Sequence, residues 1–504
     1  MAELDPVGEL AFSIANRAEP WLLQRWEEYA MSQRKLSTFE RLQSGRKLKK
    51  QERQELGQRL KAEDPGLEVV YANAAGIDVG NSSHYVAVPA GRDVHNVREF
   101  GCWTAALEQM ADWLLACKIR TVVMQSTGVY WMAVHDVLER RGIDVHLVDA
   151  RATRNVPGRK SDVQECQWLL KLHTYGLLRK CFLPSEQVQR VRTVWRIREQ
   201  YVRESGRCVQ QMQKALISMN VQLHLALSDL SGVSGQAILR AMVRGERDPR
   251  RLAALRHGTC QAKEEEIVQS LQGNWREDGI FALEQAIENW DFYRQQMTKC
   301  DQKLEQYLGQ LPNSQHTSAP SETASKKKNR KPRSNQPGFN LRAEQIRLLG
   351  VDATAIDGLD VMTVQTVLAE VGPDLSAWKS EAQWSAWLNL APKRDISGGR
   401  VIRHVREHRT NRVGQAFRMA AQSLVRSQSY LGAKYRYLRA KLGGLKAAKA
   451  MGRVLAGLYY RLVTRGHVWL DQGAEDFEHR RRQRDLSALQ RKAASLGLQL
   501  VPAA

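Results

Sequence analysis

Between residues 74 and 149 the apolar pattern changes period repeatedly, and the order of those changes restricts the fold more than any other feature. "AAGIDVG" is a short apolar strand ending in Asp78 and Gly80. "HYVAVP" (84–89) and "VHNVREF" (94–100) read as the next two strands. "TAALEQMADWLLACK" (104–118) then carries apolar residues at helical spacing. A strand over 120–124, a helix from about Tyr130 to Arg141 and the strand "IDVHLVD" (143–149) follow. Ser161 is a good cap for a further helix.

Three strands joined by short turns predict an antiparallel meander. The later strands alternate with helices and predict parallel crossovers. Together they give the order of an α/β ribonuclease H-like domain, expected over 71–184. Around it the chain reads differently. Residues 1–70 are a polar, basic, helix-prone extension, in which "RKLKKQERQELGQRLK" (46–61) is either a solvated helix or a nucleic-acid contact. Residues 185–312 are helical. Trp195, Val202, Val209, Leu216 and Leu223 recur every seven residues, with Met212 and Met219 in the second apolar position. Leu283, Ile287, Trp290, Met297, Leu304 and Leu308 form a second such run, so a paired antiparallel coiled coil is expected, or two helices on a helical core. Residues 313–338, rich in Ser, Pro, Lys and Arg, read as a disordered basic linker. Residues 339–470 read as a compact, mostly α domain, and 471–504 as a basic helical tail.

The chain has 504 residues, too many for one ordinary domain, and 43% apolar content supplies real cores. Lys and Arg outnumber Asp and Glu by 76 to 54, a formal charge of +22, which points to a polyanionic partner. No long apolar run or signal pattern is present, so no membrane association is expected. The seven scattered cysteines hold no C-x-x-C pair, which fits reduced thiols in the cytoplasm rather than a zinc site.

The chemistry-bearing residues fall in two places. Asp78 ends the first strand, Gln125 ends the fourth, and Asp162 and Glu165 project from one face of a helix start. In a ribonuclease H-like sheet the first and fourth strands are neighbours, so these groups converge. Hard oxygen donors in such a cluster suit Mg²⁺ and phosphodiester chemistry. Taken singly, Asp78 reads equally as a turn cap and Asp162 and Glu165 as ordinary first-turn acids. The second place is Ser397 in "KRDISGGRVIRH", either a flexible Ser-Gly turn or a nucleophile flanked by Lys393, Arg394, Arg400 and Arg403. Arg406, Arg409 and Arg412 extend that basic stretch toward phosphate contact, as Arg159 and Lys160 do ahead of Asp162.

"GIDVGNSSHYVAV", "MQSTGVYW", "NVPGRKSDVQECQWL" and "LAPKRDISGG…RHVREHRTNRVGQAFRMAA" resemble the DEDD-type transposases of bacterial insertion sequences. The resemblance covers about 74–180 and 341–500. It implies a RuvC-like N-terminal domain whose acids bind Mg²⁺, and a C-terminal transposase domain whose serine attacks DNA to form a phosphoserine linkage. It further implies guidance by a non-coding bridge RNA that pairs with donor and target DNA. Active sites shared between protomers of a dimer or tetramer follow, in a nucleoid-associated bacterial protein. Carried over by position, the acids are Asp78 and Asp162 and the serine is Ser397. Gln125 stands where the family has Glu, and Glu165 where it has Asp. A glutamine offers only a carbonyl oxygen, so metal binding by Asp78, Asp162 and Glu165 is expected, with Gln125→Glu raising Mg²⁺-dependent cleavage. The alternatives are a metal-dependent junction-resolving nuclease and a catalytically impaired nucleic-acid-binding variant.

Overall fold

A computed structural model describes residues 55–56, 58–59, 65–126, 128–153, 161–314, 335–397, 400–405, 411–466 and 472–499, with the backbone alone for 151–152, 393–397 and 404–405. The chain divides after Leu183 into two compact units.

The first unit runs β1 (Ala74–Val79), β2 (Ser83–Ala87), β3 (Val97–Gly101), α1 (Thr104–Ala116), β4 (Thr121–Gln125), α2 (Trp131–Arg140), β5 (Asp144–Val148), α3 (Ala150–Thr153) and α4 (Asp162–Thr174). The sheet order is β3-β2-β1-β4-β5. β1, β2 and β3 pair antiparallel, whereas β1–β4 and β4–β5 are parallel. This is the expected ribonuclease H-like α/β domain. β3 begins three residues later than expected, because Asp93 organises the preceding turn. Its carboxylate accepts from His95 N at 2.7 Å and from Trp113 Nε1 at 2.9 Å, and Val94 is left 94% exposed.

Alternation along the strands divides the core in two. Ile77, Val122 and Met124 pack with α1 and α2 through Met110, Leu114 and Leu138. Val123 and Val148 face the other way, onto Leu169 of α4. α4 therefore runs along β4 in the opposite direction, and one residue per helical turn meets every second strand residue. Thr121 Oγ1 is 2.9 Å from His173 Nε2, Val123 packs on Leu169, and Gln125 bonds Glu165 at 2.6 Å. His173 is fully buried against Tyr71, and burial pushes its imidazole down to about 3, so it stays neutral. α4 comes this close because β1 carries Gly76. A Cβ there would fall on the Cys166 carbonyl oxygen and the Leu170 amide nitrogen.

The second unit begins with α5 (Glu186–Ser218), followed by α6 (Leu223–Ala226), α7 (Val233–Val243), α8 (Pro249–Ala253), α9 (Glu264–Ser270) and α10 (Glu277–Gly309). α5 and α10 lie antiparallel. Met219, just past the end of α5, meets Gly279, Tyr201 meets Tyr293 at 5.9 Å, and Arg198 pairs with Asp301. Trp195, Met212, Leu216 and Met219 are buried along this seam, while Leu223 belongs to the separate α6. The heptad reading overran the helix because an apolar residue at the right spacing does not reveal where hydrogen bonding stops. Arg198 is only 1% exposed in the seam, and its partner Asp301 also accepts from Gly338 N at 3.1 Å. A single buried polar pair of this kind fixes helix register. Of the expected linker, 315–334 lie outside the described residues.

The remainder is α11 (Leu341–Leu349), α12 (Val361–Val371), α13 (Glu381–Trp387), β6 (Lys393–Ser397), β7 (Arg400–Val405), α14 (Arg412–Ser423), α15 (Tyr430–Leu442), α16 (Gly444–Arg465) and α17 (Gly473–Ser495), with two short 3₁₀ turns. The region is mostly α as expected, but β6 and β7 form an antiparallel hairpin where no strand was anticipated. Dense Arg and Lys hid the pattern, since no apolar alternation marks either strand. No described helix is long and apolar enough to cross a membrane.

Gly76→Ala tests the close approach. The extra methyl meets backbone rather than a yielding side chain, so a loss of at least about 1–3 kcal/mol is expected, read as a fall in Tm of the first unit. An unchanged Tm would mean that α4 does not depend on this contact.

Candidate functional site

The four residues picked out from the sequence converge in the first unit. Asp78 shares the α4 face of β1 with Gly76, by the two-residue strand period. Ile77 pairs with Met124, so Asp78 and Gln125 end neighbouring parallel strands. α4 starts above them. Ser161 caps it by accepting from Gln164 N at 3.3 Å, which puts Asp162 and Glu165 in the first turn, where the helix dipole favours carboxylates. The carboxyl edge of the parallel strands and the amino end of α4 thus share one acidic pole.

Burial pushes the Asp78 carboxyl up to about 6, and the nearby charges of Glu165 and then Asp162 add to that. No described cation offsets this crowding. Cys166, directly behind the acids, is pushed up to about 12 by burial, which removes it as a thiolate ligand or nucleophile.

Gln125 is buried, and its amide orientation is set by its neighbours. Nε2 donates to Glu165 Oε1 at 2.6 Å and to Thr153 Oγ1 at 3.1 Å, and Thr153 passes its own proton to Ala150 O at 2.8 Å. The reversed orientation would set the amide oxygen against a carboxylate. Gln125 therefore donates to Glu165 and draws it toward β4. Among the described residues, no three His, Cys, Asp or Glu side chains are gathered closely enough to hold a metal ion. The donor chemistry still fits Mg²⁺, with hard carboxylate oxygens in mutual repulsion and Asp78 in a state that a cation would relieve. Asp78, Asp162 and Glu165 are the residues that would hold it.

Two participants were not legible in the sequence. Tyr85 is the strand partner of Asp78, and Glu99 is the strand partner of Tyr85. A hydrogen bond to Glu99 raises the Tyr85 hydroxyl above its ordinary value, and Asp162 adds a smaller repulsive contribution. Asp78, Tyr85 and Glu99 therefore form a row across three strands. Thr153 is the other, visible only once α3 is placed. The short turn between β1 and β2 is the one sequence signal that could have found Tyr85.

Ser397 lies in the second unit, at the end of β6 and in register with Arg400. Asp395 pairs with Arg403 and Arg394 with His404. Arg400 and Arg403 are exposed on β7. The hairpin is mounted between α13 and α14. Ala391 N donates to Ser385 O at 3.2 Å on one side, and Asn411 Nδ2 donates to Trp387 O at 3.2 Å on the other. Arg412 bonds Glu199 of α5 at 3.0 Å and lies 3.9 Å from Glu370, a nearly buried carboxylate that Arg196 grips at 2.8 and 2.7 Å. Arg412 was expected on phosphate, but carboxylates of its own chain engage its charge. The side chains of Lys393 and Arg394, and all of Arg159, Lys160, Arg406 and Arg409, lie outside the described residues.

Two expectations follow. Asp78 has a folded pKa near 6 against an ordinary 3.8, so ionising it opposes folding as pH rises through that window. Asp78→Asn should raise Tm at pH 7.5 by a few degrees, with the gain shrinking as pH falls from 6 to 4. A gain independent of pH would refute the assignment. Gln125→Glu places a second carboxylate against Glu165, so that pair should share a proton near neutral pH. Calorimetry of Mg²⁺ binding in buffers of different ionisation enthalpy should then show about one more proton released per ion than in the parent. Equal release would mean that Gln125 does not govern Glu165.

Residues 75–220 match a DEDD-type family model described as Transposase, and residues 353–436 match one described as Transposase IS116/IS110/IS902 family. No curated protein matches the chain. The first match spans the acidic pole, and the second spans the hairpin that carries Ser397. Two regions of the chain are thus similar to the domains of IS110-type transposases.

Proposed function

We propose that this transposase is an RNA-guided, site-specific DNA recombinase in which Ser397 is the nucleophile and the acidic pole holds Mg²⁺. The observation that carries the proposal is the convergence of Asp78, Asp162 and Glu165 at one end of the first unit, with Asp78 raised to about 6 by burial and its acidic neighbours. Such crowding is the electrostatic state that a divalent cation relieves. When bound, Mg²⁺ would supply charge neutralisation at a scissile phosphate.

Ser397 Oγ attacks phosphorus, and the bond to the departing deoxyribose oxygen breaks, with that oxygen taking up a proton. The phosphoserine ester keeps the energy of the original phosphodiester. A hydroxyl on the second DNA strand then displaces serine, so strands are exchanged without hydrolysis. A serine hydroxyl needs activation by a base, a metal or nearby positive charge. Arg400, in register with Ser397, is the nearest assigned cation on the hairpin. Guidance by a structured bridge RNA is supported by the +22 charge, more than a short DNA site requires. A dimer or tetramer in which one protomer's serine uses another's acids completes the proposal. A nuclease that uses water in place of Ser397 is the reading to be separated from it.

A denaturing gel of labelled DNA tests this. Ser397→Ala should abolish the covalent protein–DNA adduct, by at least ~100-fold, with nucleic-acid binding retained. The adduct in the parent should require the RNA that co-purifies with the protein, and unrelated RNA of equal length should not replace it. Co-assembling Ser397→Ala with Asp162→Ala should restore some adduct, because one mixed site holds an intact serine and intact acids. An adduct that survives Ser397→Ala moves the nucleophile elsewhere, and loss without rescue refutes the shared site alone.

A further inference from the structure

α15, α16 and α17 gather cations that neither the acidic pole nor the serine hairpin uses. α17 docks on α15 through Phe477, which is buried edge-on to Tyr430 at 5.2 Å and lies 6.0 Å from Tyr437. One turn on, the Arg481 guanidinium lies over the Tyr437 ring at 5.5 Å. The next residue on that stripe, at i+7 from Phe477, is Arg484. On α15 the matching stripe runs from Tyr430 through Lys434 to Tyr437. The charges of Arg484 and of Arg461, the latter in the last turns of α16, both bear on Lys434. Three helices therefore bring three cations to one place.

Most charge runs are solvated faces whose members find acids. Arg480 has Asp476 at 2.9 Å, and Arg461 has Glu381 at 3.4 Å together with the carboxyl end of its helix. Lys434 and Arg484 differ. Among the described residues neither has a carboxylate within ion-pair distance, and Arg484 Nε only returns a hydrogen bond to Arg480 O at 3.1 Å. Lys434 is half-buried between the helices. Its burial, and then the two guanidiniums, push its ammonium below the ordinary value. Unneutralised cations held together in this way oppose folding unless an anion joins them.

We propose that Lys434, Arg461 and Arg484 form a binding site for the phosphodiester backbone of a nucleic acid. An ammonium point charge between two planar guanidinium forks suits phosphate oxygens. With Arg461 already paired to Glu381, Lys434 and Arg484 still leave more charge than one phosphodiester neutralises, which favours a polymer over a lone ion. Arg491 and Lys492, at i+7 and i+8 from Arg484, are exposed further along α17 and continue the positive surface for following phosphates. A lipid headgroup carries the same phosphate, but Lys434 is half-buried between helices, which suits a strand better than a flat bilayer.

The experiment compares the full-length parent with the double variant Lys434→Met, Arg484→Gln. Binding of a short DNA duplex, and of an RNA hairpin with the same number of phosphates, is measured over a range of salt. Each lost phosphate contact lowers the slope of log Kd against log salt by about one, so a decrease of about one to two is expected in at least one arm. The arm that loses slope identifies the strand. Tm should hold or rise, because like charges have been separated. Arg461→Gln alone, which leaves Lys434 in place, should lower the slope by about one and covers the case in which the double variant misfolds. Slopes unchanged in both arms would overturn the site, as would a parent without salt-dependent binding. Lost binding to phosphatidylserine vesicles with both slopes kept would also overturn it. The readout is binding, so failure of the serine adduct leaves it intact.

Discussion

The contact between α4 and Gly76 is the constraint on which the acidic pole depends. A helix laid on a sheet normally keeps side chains between the two backbones. At Gly76 no side chain intervenes, and Cys166 O and Leu170 N occupy the space that a methyl would take. That approach fixes the depth of α4, and the repeat of four helix residues against two strand residues fixes its register. His173 on Thr121, Leu169 on Val123 and Glu165 on Gln125 are three rungs of one ladder. Glu165 reaches Gln125 as the last rung of a packed interface, because the apolar rungs below leave it no other position.

The same ladder changes the meaning of Gln125. On composition alone, an amide in place of a carboxylate is a loss of charge. In the folded chain it is a donor between two acceptors. It holds the Glu165 carboxyl in place beside Asp78, where the charges of Glu165 and Asp162 add to the burial that raises Asp78. Thr153 fixes which end of the amide faces the acid. The group that weakens the cluster as a ligand set therefore also shapes it, and both effects follow from one hydrogen bond of 2.6 Å.

In the second unit the corresponding anchor is ionic. Glu370 is nearly buried, and Arg192, Arg196 and Arg412 surround it from α5 and the first residue of α14. A buried carboxylate with so many donors is costly to disturb, because removing one partner leaves charge uncompensated. The network ties the long paired helices to the segment that follows the hairpin. Arginines that read in the sequence as one basic stretch thus divide their work, with Arg412, itself exposed, ion-paired to Glu199 and with Arg400 and Arg403 exposed on β7.

The sequence by itself determined the sheet order, the place of Asp78 and Gln125 at strand ends, and the capped start of α4. Each of these rests on a local period, a turn length or a single cap, and such signals are complete within a few residues. It did not determine the β6–β7 hairpin, since the few apolar residues of these strands, Ile396, Val401, Ile402 and Val405, do not alternate with the polar ones. It did not determine that Tyr85 and Glu99 stand beside Asp78, because strand register is settled between segments. The partners of Gln125, the carboxylates that engage Arg412 and the cluster at Lys434 were likewise decided only in three dimensions. Whether a charge is paired depends on which helices pack together, and packing is a property of faces that lie far apart along the chain.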